Sequence, residues 1–330
     1  MPAPGKKQGT PSPDVLGNSG AYDPSYLQSA YQTPSTSAGS GQTVAIVDAY
    51  DNPNAESDLA YYRAYFVSAN GQPIPPCSSS NGCFHKVNES RQTSPLPAAS
   101  GSWAQEVSLD LDMVSAICPE CRILLVEANS ASYGDLANAV NTAARMGATA
   151  ISNSYGGSEF GGETAYDASY NHPGIAVTVS SGDNGYGTEY PAASQYVTAV
   201  GGTSLTQNSN TGTRGGSETV WSGAGSGCSA YEAKPGWQKD TACGERTVAD
   251  ASAIADPNTG VWVYDSYAYG GQSGWLIFGG TSAASPIVGS VYALAQSNGG
   301  TAQSSSFPYQ HSSALNDITS GSNGSCSAAY

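Results

Sequence analysis

Histidine, basic residues and long apolar runs are all scarce in this chain of 330 residues. His85, His172 and His311 are its three histidines, and none stands in a motif typical of a Ser-His pair. The 11 Lys and Arg residues face 26 Asp and Glu, a net charge of −15, so the sequence lacks the basic patch that nucleic-acid binding requires. No stretch approaches the roughly 18 apolar residues of a membrane-spanning helix. The first twenty residues also lack the apolar segment of a signal peptide.

The surplus of acidic residues has two interpretations. It is typical of an ordinary solvated surface, but it is also typical of a protein that works in acid. In acid, protonated carboxyl groups reduce self-repulsion, and fewer groups need to change their charge on folding. With 39% hydrophobic residues and 40 glycines, the chain is expected to form a real core with many tight turns.

Six of the seven cysteines form three pairs that are close in sequence, namely Cys77/Cys83, Cys118/Cys121 and Cys228/Cys243. Such spacing predicts small disulfide loops in an exported protein. The Cys118/Cys121 pair could instead be redox-active or bind zinc, but it has no second pair or nearby histidine to complete a metal site. Cys326 is unpaired, and we expect its partner to lie beyond Tyr330.

Apolar segments typical of buried strands alternate with amphipathic segments typical of helices. Near-continuous apolar strands favour a parallel sheet covered on both faces by helices, within one α/β domain. Residues 205–275 are turn-rich and are expected to hold short strands and loops. We predict strands at 43–50, 122–128, 148–155, 174–183 and 196–202, and helices at 56–66, 102–117, 133–147 and from Ser282 onward.

Glu106 and Asp110 are four residues apart and share one face of the predicted helix 102–117, for which Ser102 and Gln105 predict an N-terminal capping box. Two carboxylates this close repel each other, which raises one pKa. A solvated acidic face is the ordinary explanation for such a pair. This helix, however, is apolar nearly all round, so its carboxylates are not explained by a solvated face. We interpret Asp112, on the same helix, as structural.

Asp183 and Ser282 are two further candidates, each with a plainer explanation. Asp183 follows a predicted strand in the segment SSGDNG, where a protonated carboxyl group could donate a hydrogen bond to an oxyanion. An ordinary Asp-Asn-Gly turn is the plainer explanation. Ser282 begins a helix in GGTSAASP, where the helix dipole favours developing negative charge. Ser and Thr are also common helix caps, but a GTSxxxP pattern that continues into an apolar helix is more specific.

GTSAASP, together with strands that end in SGDNG and SNSYGG, resembles the subtilisin-like peptidases. A histidine motif of the HGTHVAG type is absent, the corresponding helix contains WAQEVSLDLD, and the oxyanion position holds Asp instead of Asn. These changes resemble the sedolisin, or serine-carboxyl peptidase, family. Further similar segments occur in the same order from about residue 22 to residue 326. The resemblance implies a three-layer subtilisin-like fold with a central, mostly parallel sheet flanked by helices.

The resemblance also implies roles for individual residues. Ser282 would be the nucleophile, Glu106 its general base, Asp110 the group that orients Glu106, and Asp183 part of the oxyanion hole. The substrate backbone would pair with Ser154, Tyr155 and Gly156. Asp48 lies where a subtilisin has its catalytic Asp, and it is left outside this set because a sedolisin-like site does not require it.

The resemblance implies one structural calcium ion, with Asp317 and Ile318 among its ligands and the remaining ligands beyond Tyr330. We accordingly expect a flexible tail at residues 1–21 and a peptidase domain at 22–330 that lacks its C-terminal part. A precursor would carry an N-terminal prosegment. The expected partners are protein or peptide substrates, with no nucleic acid or membrane, and the expected state is a monomer.

The first functional hypothesis is a secreted, acid-active endopeptidase that forms an acyl-enzyme on Ser282. The alternative is a catalytically inactive, sedolisin-like binding or cell-surface module, against which the four intact positions argue. A glycosidase that uses Glu106 and Asp110 is a third possibility. Its carboxyl groups would face each other across a sugar cleft, typically from different elements, which a spacing of four on one helix does not favour.

Overall fold

The computed structural model describes residues 21–207, 214–297 and 305–324. Its strands, in chain order, are β1 (Thr43–Ala49), β2 (Phe84–Asn88), β3 (Arg122–Ala128), β4 (Ala150–Asn153), β5 (Gly157–Ser158), β6 (Ala176–Ser180), β7 (Glu189–Tyr190), β8 (Thr198–Gln207), β9 (Arg214–Val220), β10 (Gly227–Cys228), β11 (Thr247–Val248), β12 (Ala251–Ile254), β13 (Val261–Tyr269) and β14 (Gln272–Phe278). The helices are α1 (Pro24–Ala30), α2 (Ala55–Tyr65), α3 (Gly101–Ile117), α4 (Tyr133–Arg145), α5 (Thr281–Ser297) and α6 (Phe307–Gln310). Short 3-10 helices span Ser79–Asn81, Glu163–Ser169, Pro257–Thr259 and Ser312–Ala314.

A sheet of seven parallel strands forms the centre of the molecule. The strand order is β2–β3–β1–β4–β6–β8–β12, and β9 pairs antiparallel with β8 as an eighth strand. The central strands β1, β4 and β6 are buried along almost their whole length. This burial on both faces explains why their sequences are apolar without alternation.

Successive side chains of each strand enter two different cores. In β1, Val44 and Ile46 pack with α3 and α5, whereas Ala45 and Val47 pack with α4. Since side chains alternate between the two faces of a strand, Asp48 must lie on the same face as Ile46, toward α3 and α5. The arrangement confirms the predicted three-layer fold with a mostly parallel sheet between helices.

The predicted strands and helices are confirmed to within a few residues, but the capping box of α3 is wrong. The helix begins at Gly101, its N-cap is Ser100, and Ser102 lies inside the first turn. The Ala104 N–H already donates to the Ser100 carbonyl at 2.7 Å. A Cβ at residue 101 would lie 2.9 Å from the Tyr269 ring, so a glycine lets the helix start beneath that ring.

The segment 205–275, expected to hold only short strands, contains most of one long hairpin. β13 has nine residues and pairs antiparallel with the seven residues of β14. Trp262 and Tyr264 of this strand pack toward α2, where the Tyr264 and Tyr61 rings stack at 4.1 Å. Aromatic and β-branched residues favour paired strands, and this tendency outweighs the turn-forming residues around them.

The three predicted disulfides, Cys77–Cys83, Cys118–Cys121 and Cys228–Cys243, are all present. Their Cα–Cα distances lie between 4.9 and 5.4 Å, within the normal range for a disulfide. Cys326 and residues 1–20 of the expected tail lie outside the described residues. Ala21, which the prediction placed in the tail, is buried.

Two glycines form the turn that leads from β14 into α5. Gly280 has a φ of +101°, a conformation that side chains disfavour, and its N–H donates to the Ala255 carbonyl at 2.6 Å. A Cβ at Gly279 would lie 2.4 Å from the Ala255 oxygen and 2.5 Å from the Pro257 nitrogen. Both obstacles are backbone atoms, so the start of α5 is fixed by direct contact with the chain after β12.

We predict that Gly279→Ala destabilises the protein by about 1–3 kcal/mol, because the added methyl group must push backbone apart. Gly236→Ala is the matched control, since a Cβ there meets nothing within 4 Å, and its effect should stay within about 0.5 kcal/mol. Urea unfolding measures both. Equal stability of the two variants would contradict this account of the turn.

Candidate active site

Polar residues gather where three neighbouring parallel strands end. Asp48 is the next-to-last residue of β1, Ser154 follows β4, and Asp183 comes three residues after β6. β1, β4 and β6 are adjacent in the sheet, so these residues lie at one edge. Helices α3 and α5 pack against each other over the same sheet. They bring Glu106, Asp110 and Ser282 to this edge, and all three are at most 3% exposed.

The GTSxxxP pattern has a structural consequence at Ser282. Pro286 lies inside α5 and has no N–H, so the carbonyl of Ser282, four residues earlier, loses its helical hydrogen bond. The Ser154 hydroxyl donates to that carbonyl at 3.3 Å. The first turn of α5 is therefore joined to the segment after β4 through the backbone of Ser282.

Glu106 lies beside the Ser282 hydroxyl in a site shielded from water. Burial raises the pKa of Glu106 from 4.5 to about 7, the Ser282 hydroxyl lowers it, and the nearby Asp183 raises it. Among the described residues, neither carboxyl oxygen of Glu106 has a partner with good hydrogen-bond geometry. Glu106 is thus a buried carboxyl group near a hydroxyl, with a pKa in the range of a general base.

Asp110 and Asp48 extend the group of carboxyls behind Glu106. Burial raises the pKa of Asp110 well above its ordinary value, the Glu106 charge raises it further, and the Ser154 hydroxyl lowers it. Burial likewise raises the pKa of Asp48, as do the charges of Asp110 and Glu106. Carboxyl groups this close to one another cannot all be ionised, so they hold protons in common.

Asp183 is held by the start of α5. Its Oδ1 accepts hydrogen bonds from the Thr281 backbone N–H at 2.7 Å and from the Thr281 hydroxyl at 2.9 Å. Burial raises the pKa of Asp183, while these two bonds lower it. Since both bonds use Oδ1, a proton on Oδ2 would be available to a ligand in the cleft.

The segment Ser154–Gly156 follows β4 at this edge of the sheet. Ser154 and Tyr155 are buried and Gly156 is exposed. The Tyr155 hydroxyl donates to the Asn153 side chain at 2.8 Å and so points into the protein. The part of this segment that a ligand could reach is therefore its backbone near Gly156.

Asp317 and Ile318 lie apart from this site, in the segment after the 3-10 helix Ser312–Ala314, and Asp317 is exposed. Calcium takes six to eight oxygen ligands. Within residues 21–207, 214–297 and 305–324, no three His, Cys, Asp or Glu side chains form a group that could hold a metal. Calcium binding by this pair stays a prediction.

Comparison with known proteins places the chain in a family. A model of the subtilase family matches residues 91–307. The chain is also 29% identical over 307 residues to kumamolisin of Bacillus sp. (strain MN-32), and 34% identical over 185 residues to sedolisin of Pseudomonas sp. (strain 101). A solved Pseudomonas sedolisin, complexed with two molecules of pseudo-iodotyrostatin, superposes with a TM-score of 0.73 at 26% identity. The chain belongs to the sedolisin family of subtilisin-like serine peptidases.

The extent of these matches differs. The superposition with sedolisin covers 93% of this chain and 90% of that structure. The alignment with kumamolisin covers 83% of this chain but 52% of kumamolisin. The alignment with the sedolisin sequence covers 46% of this chain and 30% of that sequence. The chain therefore spans about half the length of kumamolisin and less of the sedolisin sequence. In the described part of this family member, no helix is both long and apolar enough to cross a membrane.

The sequence prediction left Asp48 out, although the structure places it against Asp110 and Glu106. Asp48 pairs in register with Glu127, a second buried carboxyl at the end of β3. Acidic residues near the ends of two otherwise apolar strands are a visible signal in the sequence. The sequence does not show that Asp48 and Glu127 lie on the face of the sheet covered by α3 and α5, which follows from the alternation of side chains along their strands.

We predict that Ser154→Ala costs about 1 kcal/mol of stability, because the Ser282 carbonyl loses its hydrogen bond. Pro286→Ala restores a backbone N–H four residues after Ser282, so Ser154→Ala should cost less in that background. A double-mutant cycle by urea unfolding measures the coupling. Strictly additive effects would show that the hydroxyl does not stabilise this carbonyl.

The raised pKa of Glu106 predicts a stability that falls with pH. The folded protein holds a proton on Glu106 that the unfolded chain releases above pH 4.5, so stability is full below that pH and decreases up to about pH 7. The loss from this group is about 3 kcal/mol. Urea unfolding of the Ser282→Ala protein between pH 4 and 8 should show a smaller loss when Glu106→Gln is added. The exposed Glu245→Gln should change nothing, and an unchanged slope with Glu106→Gln would contradict the assignment.

Proposed function

We propose that this chain is the catalytic part of an acid-active serine-carboxyl endopeptidase. The observation that carries the proposal is the buried contact between the Ser282 hydroxyl and the Glu106 carboxyl, with Asp110 behind Glu106 and Asp183 at the start of the same helix. All three histidines lie among the described residues, and none of them hydrogen-bonds any of these groups.

In the proposed reaction the Ser282 oxygen attacks the carbonyl carbon of a peptide bond, and its proton passes to ionised Glu106. Glu106 then gives this proton to the leaving amine as the C–N bond breaks, which leaves an acyl group on Ser282. A water molecule then attacks the acyl ester and gives a proton to Glu106. Glu106 passes this proton to the Ser282 oxygen as the ester bond breaks. Asp110 is a positioning residue, since its own proton can stabilise the ionised form of Glu106.

Asp183 supplies the donor for the tetrahedral oxyanion. Its Oδ1 is occupied by Thr281, so a proton on Oδ2 would point to the oxyanion. A preorganised donor of this kind contributes about a hundredfold to a thousandfold to turnover. The substrate backbone would lie along Ser154–Gly156, where Gly156 leaves the strand exposed.

This mechanism sets a pH range. Glu106 must be ionised while Asp183 keeps its proton. The fraction of enzyme in this state is greatest at a pH between the pKa values of the two groups, and this holds whichever of the two values is higher. Burial raises the pKa of Glu106 to about 7 and that of Asp183 above its ordinary 3.8. We expect the optimum on the acid side of neutrality. A high-pH limb is unavoidable, because Asp183 loses its proton.

Three disulfides support an oxidising compartment, so we propose that the enzyme is secreted. Its substrates would be proteins or peptides, in keeping with its peptidase relatives. A prosegment in the precursor and a monomeric active form remain part of the proposal. So does a structural calcium ion, for which Asp317 supplies one carboxylate.

A peptide-library digest at about pH 5, analysed by mass spectrometry, tests the proposal on the acid side of neutrality. We predict cleavage by the unaltered protein, and its loss by at least about a thousandfold in Ser282→Ala. Glu106→Gln should lose comparable activity, because the amide cannot accept the serine proton. Glu120→Gln, at an exposed position, is the control and should cleave normally.

A peptide aldehyde provides a readout that does not depend on turnover. It should attach to Ser282 in the unaltered protein and fail to attach in Ser282→Ala. A folded protein that neither cleaves nor reacts would favour the inactive binding module. Strong cleavage at neutral pH that disappears below pH 5 would contradict the carboxyl mechanism.

A further inference from the structure

A second group of carboxyls, away from Ser282, has no place in the proposed mechanism. We call Glu159, Glu163, Asp167 and Glu232 the acid cluster. Glu159 follows β5, Glu163 and Asp167 lie on the 3-10 helix Glu163–Ser169, and Glu232 lies in the loop after β10. Glu163 is 0% exposed, Glu232 1% and Asp167 8%.

Glu163 and Glu159 form the first pair of the acid cluster. Both lie in one short segment of the chain, and burial together with the nearby Glu159 charge raises the pKa of Glu163 to about 7. Glu163 Oε2 accepts a bond from the Phe160 N–H at 2.7 Å, while its Oε1 is buried and has no donor among the described residues. Glu159 is the fitting acceptor, since the Thr188 and Ser229 hydroxyls already donate to it.

Glu232 and Asp167 form the second pair in the same way. Burial and the neighbouring Asp167 carboxyl raise the pKa of Glu232 to about 8. Asp167 accepts a bond from the Tyr190 hydroxyl at 3.1 Å. Glu232 Oε1 is again buried without a partner in the described part of the chain. Ionised carboxylates buried this close together repel each other, so each pair favours holding one proton.

The surroundings of the acid cluster give it no cation. The charged groups that act on Glu163 and Glu232 are carboxyls of the cluster itself. Three phenols also face it, Tyr133 from α4, Tyr190 from β7, and Tyr170 after the 3-10 helix. None of the ion pairs found in the described residues includes a member of the cluster. Only protons can neutralise it there.

The acid cluster joins three segments next to the candidate site. Glu159 accepts from Thr188, next to β7, and from Ser229 and the Ala230 N–H in the loop after β10. β5 continues the Ser154–Gly156 segment and pairs with β7. The Glu189 side chain of β7 lies against Gly156 and Gly182, since a Cβ at Gly156 or Gly182 would lie 2.6 or 2.7 Å from it.

We propose that the acid cluster is a proton-dependent latch. With Glu163 and Glu232 protonated, it holds the β5–β7 ribbon and the loop at residues 229–232 together and so shapes the cleft wall. When these protons are lost, four neighbouring carboxylates repel one another and the wall opens. Its effect on substrate binding rests on the function proposed above, whereas the opening itself does not. The four residues are positioning residues that touch no reacting atom.

The direction of the pH effect follows from proton linkage. The closed form holds protons on Glu163 and Glu232 that an open, solvated form would release at their ordinary pKa of 4.5. Closure is therefore fully favoured below about pH 4.5 and weakens up to pH 7–8. Above that range the closed fraction no longer changes through these two groups.

Hydrogen exchange of the Ser282→Ala protein, measured between pH 4 and 8 and corrected for the intrinsic rate, tests the latch directly. Protection of residues 157–170 and 226–232 should fall by up to about tenfold per pH unit for each released proton, while β3 stays protected. In the Glu163→Gln/Glu232→Gln protein, amide groups donate at every pH, and most of this loss should disappear. Glu245→Gln, exposed in a nearby loop, should behave like the parent.

Kinetics provide the second readout, in the protein with Ser282 intact. The KM should rise from pH 5 to pH 8, because the apparent affinity falls with the closed fraction. The double variant should lose most of this rise and keep the parent's pH profile of kcat. A merely structural role would change stability without separating KM from kcat.

Either of two results would overturn the latch, namely protection of the two segments that does not depend on pH, or equal dependence in the parent and the double variant. The single variant Glu232→Gln replaces the double variant if the latter does not fold at pH 4. It should remove about half of the pH dependence. If the protein proves to have no peptidase activity, the exchange results still decide for or against the latch.

Discussion

The structure depends on the cost of burying the carboxyl groups of α3. Glu106, Asp110 and Asp112 lie on one helix, and each is at most 1% exposed. Asp112 is stabilised by the Tyr264 N–H at 2.8 Å, whereas Glu106 and Asp110 have only hydroxyls and other carboxyls beside them. Desolvation therefore raises the pKa values of Glu106 and Asp110. The same constraint predicts a fold that is more stable in acid than at neutral pH.

The first turn of α5 connects this chemistry to the backbone. Gly279 contacts the chain after β12, and Thr281 donates hydrogen bonds to Asp183. The Ser282 carbonyl accepts a hydrogen bond from Ser154, because Pro286 has no N–H to donate to it. A single short segment thus fixes the proposed nucleophile relative to the proposed oxyanion residue and to the segment expected to bind substrate. Small side chains are required there because α5 packs closely against the sheet.

Much of the fold and candidate site follows from local patterns. The apolar runs of β1 and β3 predict buried parallel strands, and the close spacing of Cys77 and Cys83 predicts a small disulfide loop. Glu106 and Asp110 share a helix face because they are four residues apart. The start of α3 was misjudged because Ser102 and Gln105 fit a capping box, but the Tyr269 ring lies over Gly101 and lets the helix begin earlier.

The sequence by itself determined the elements, the disulfides and the residues that the resemblance to sedolisins singled out, because helical and strand periodicity and short motifs are local properties. Only the tertiary structure decided that Asp48 faces Asp110, and that Glu232 meets Asp167 across 65 residues of chain. Both depend on which strands are neighbours and how loops cross them. Burial, which shifts the pKa of every one of these carboxyls, exists only after the distant parts of the chain have packed together.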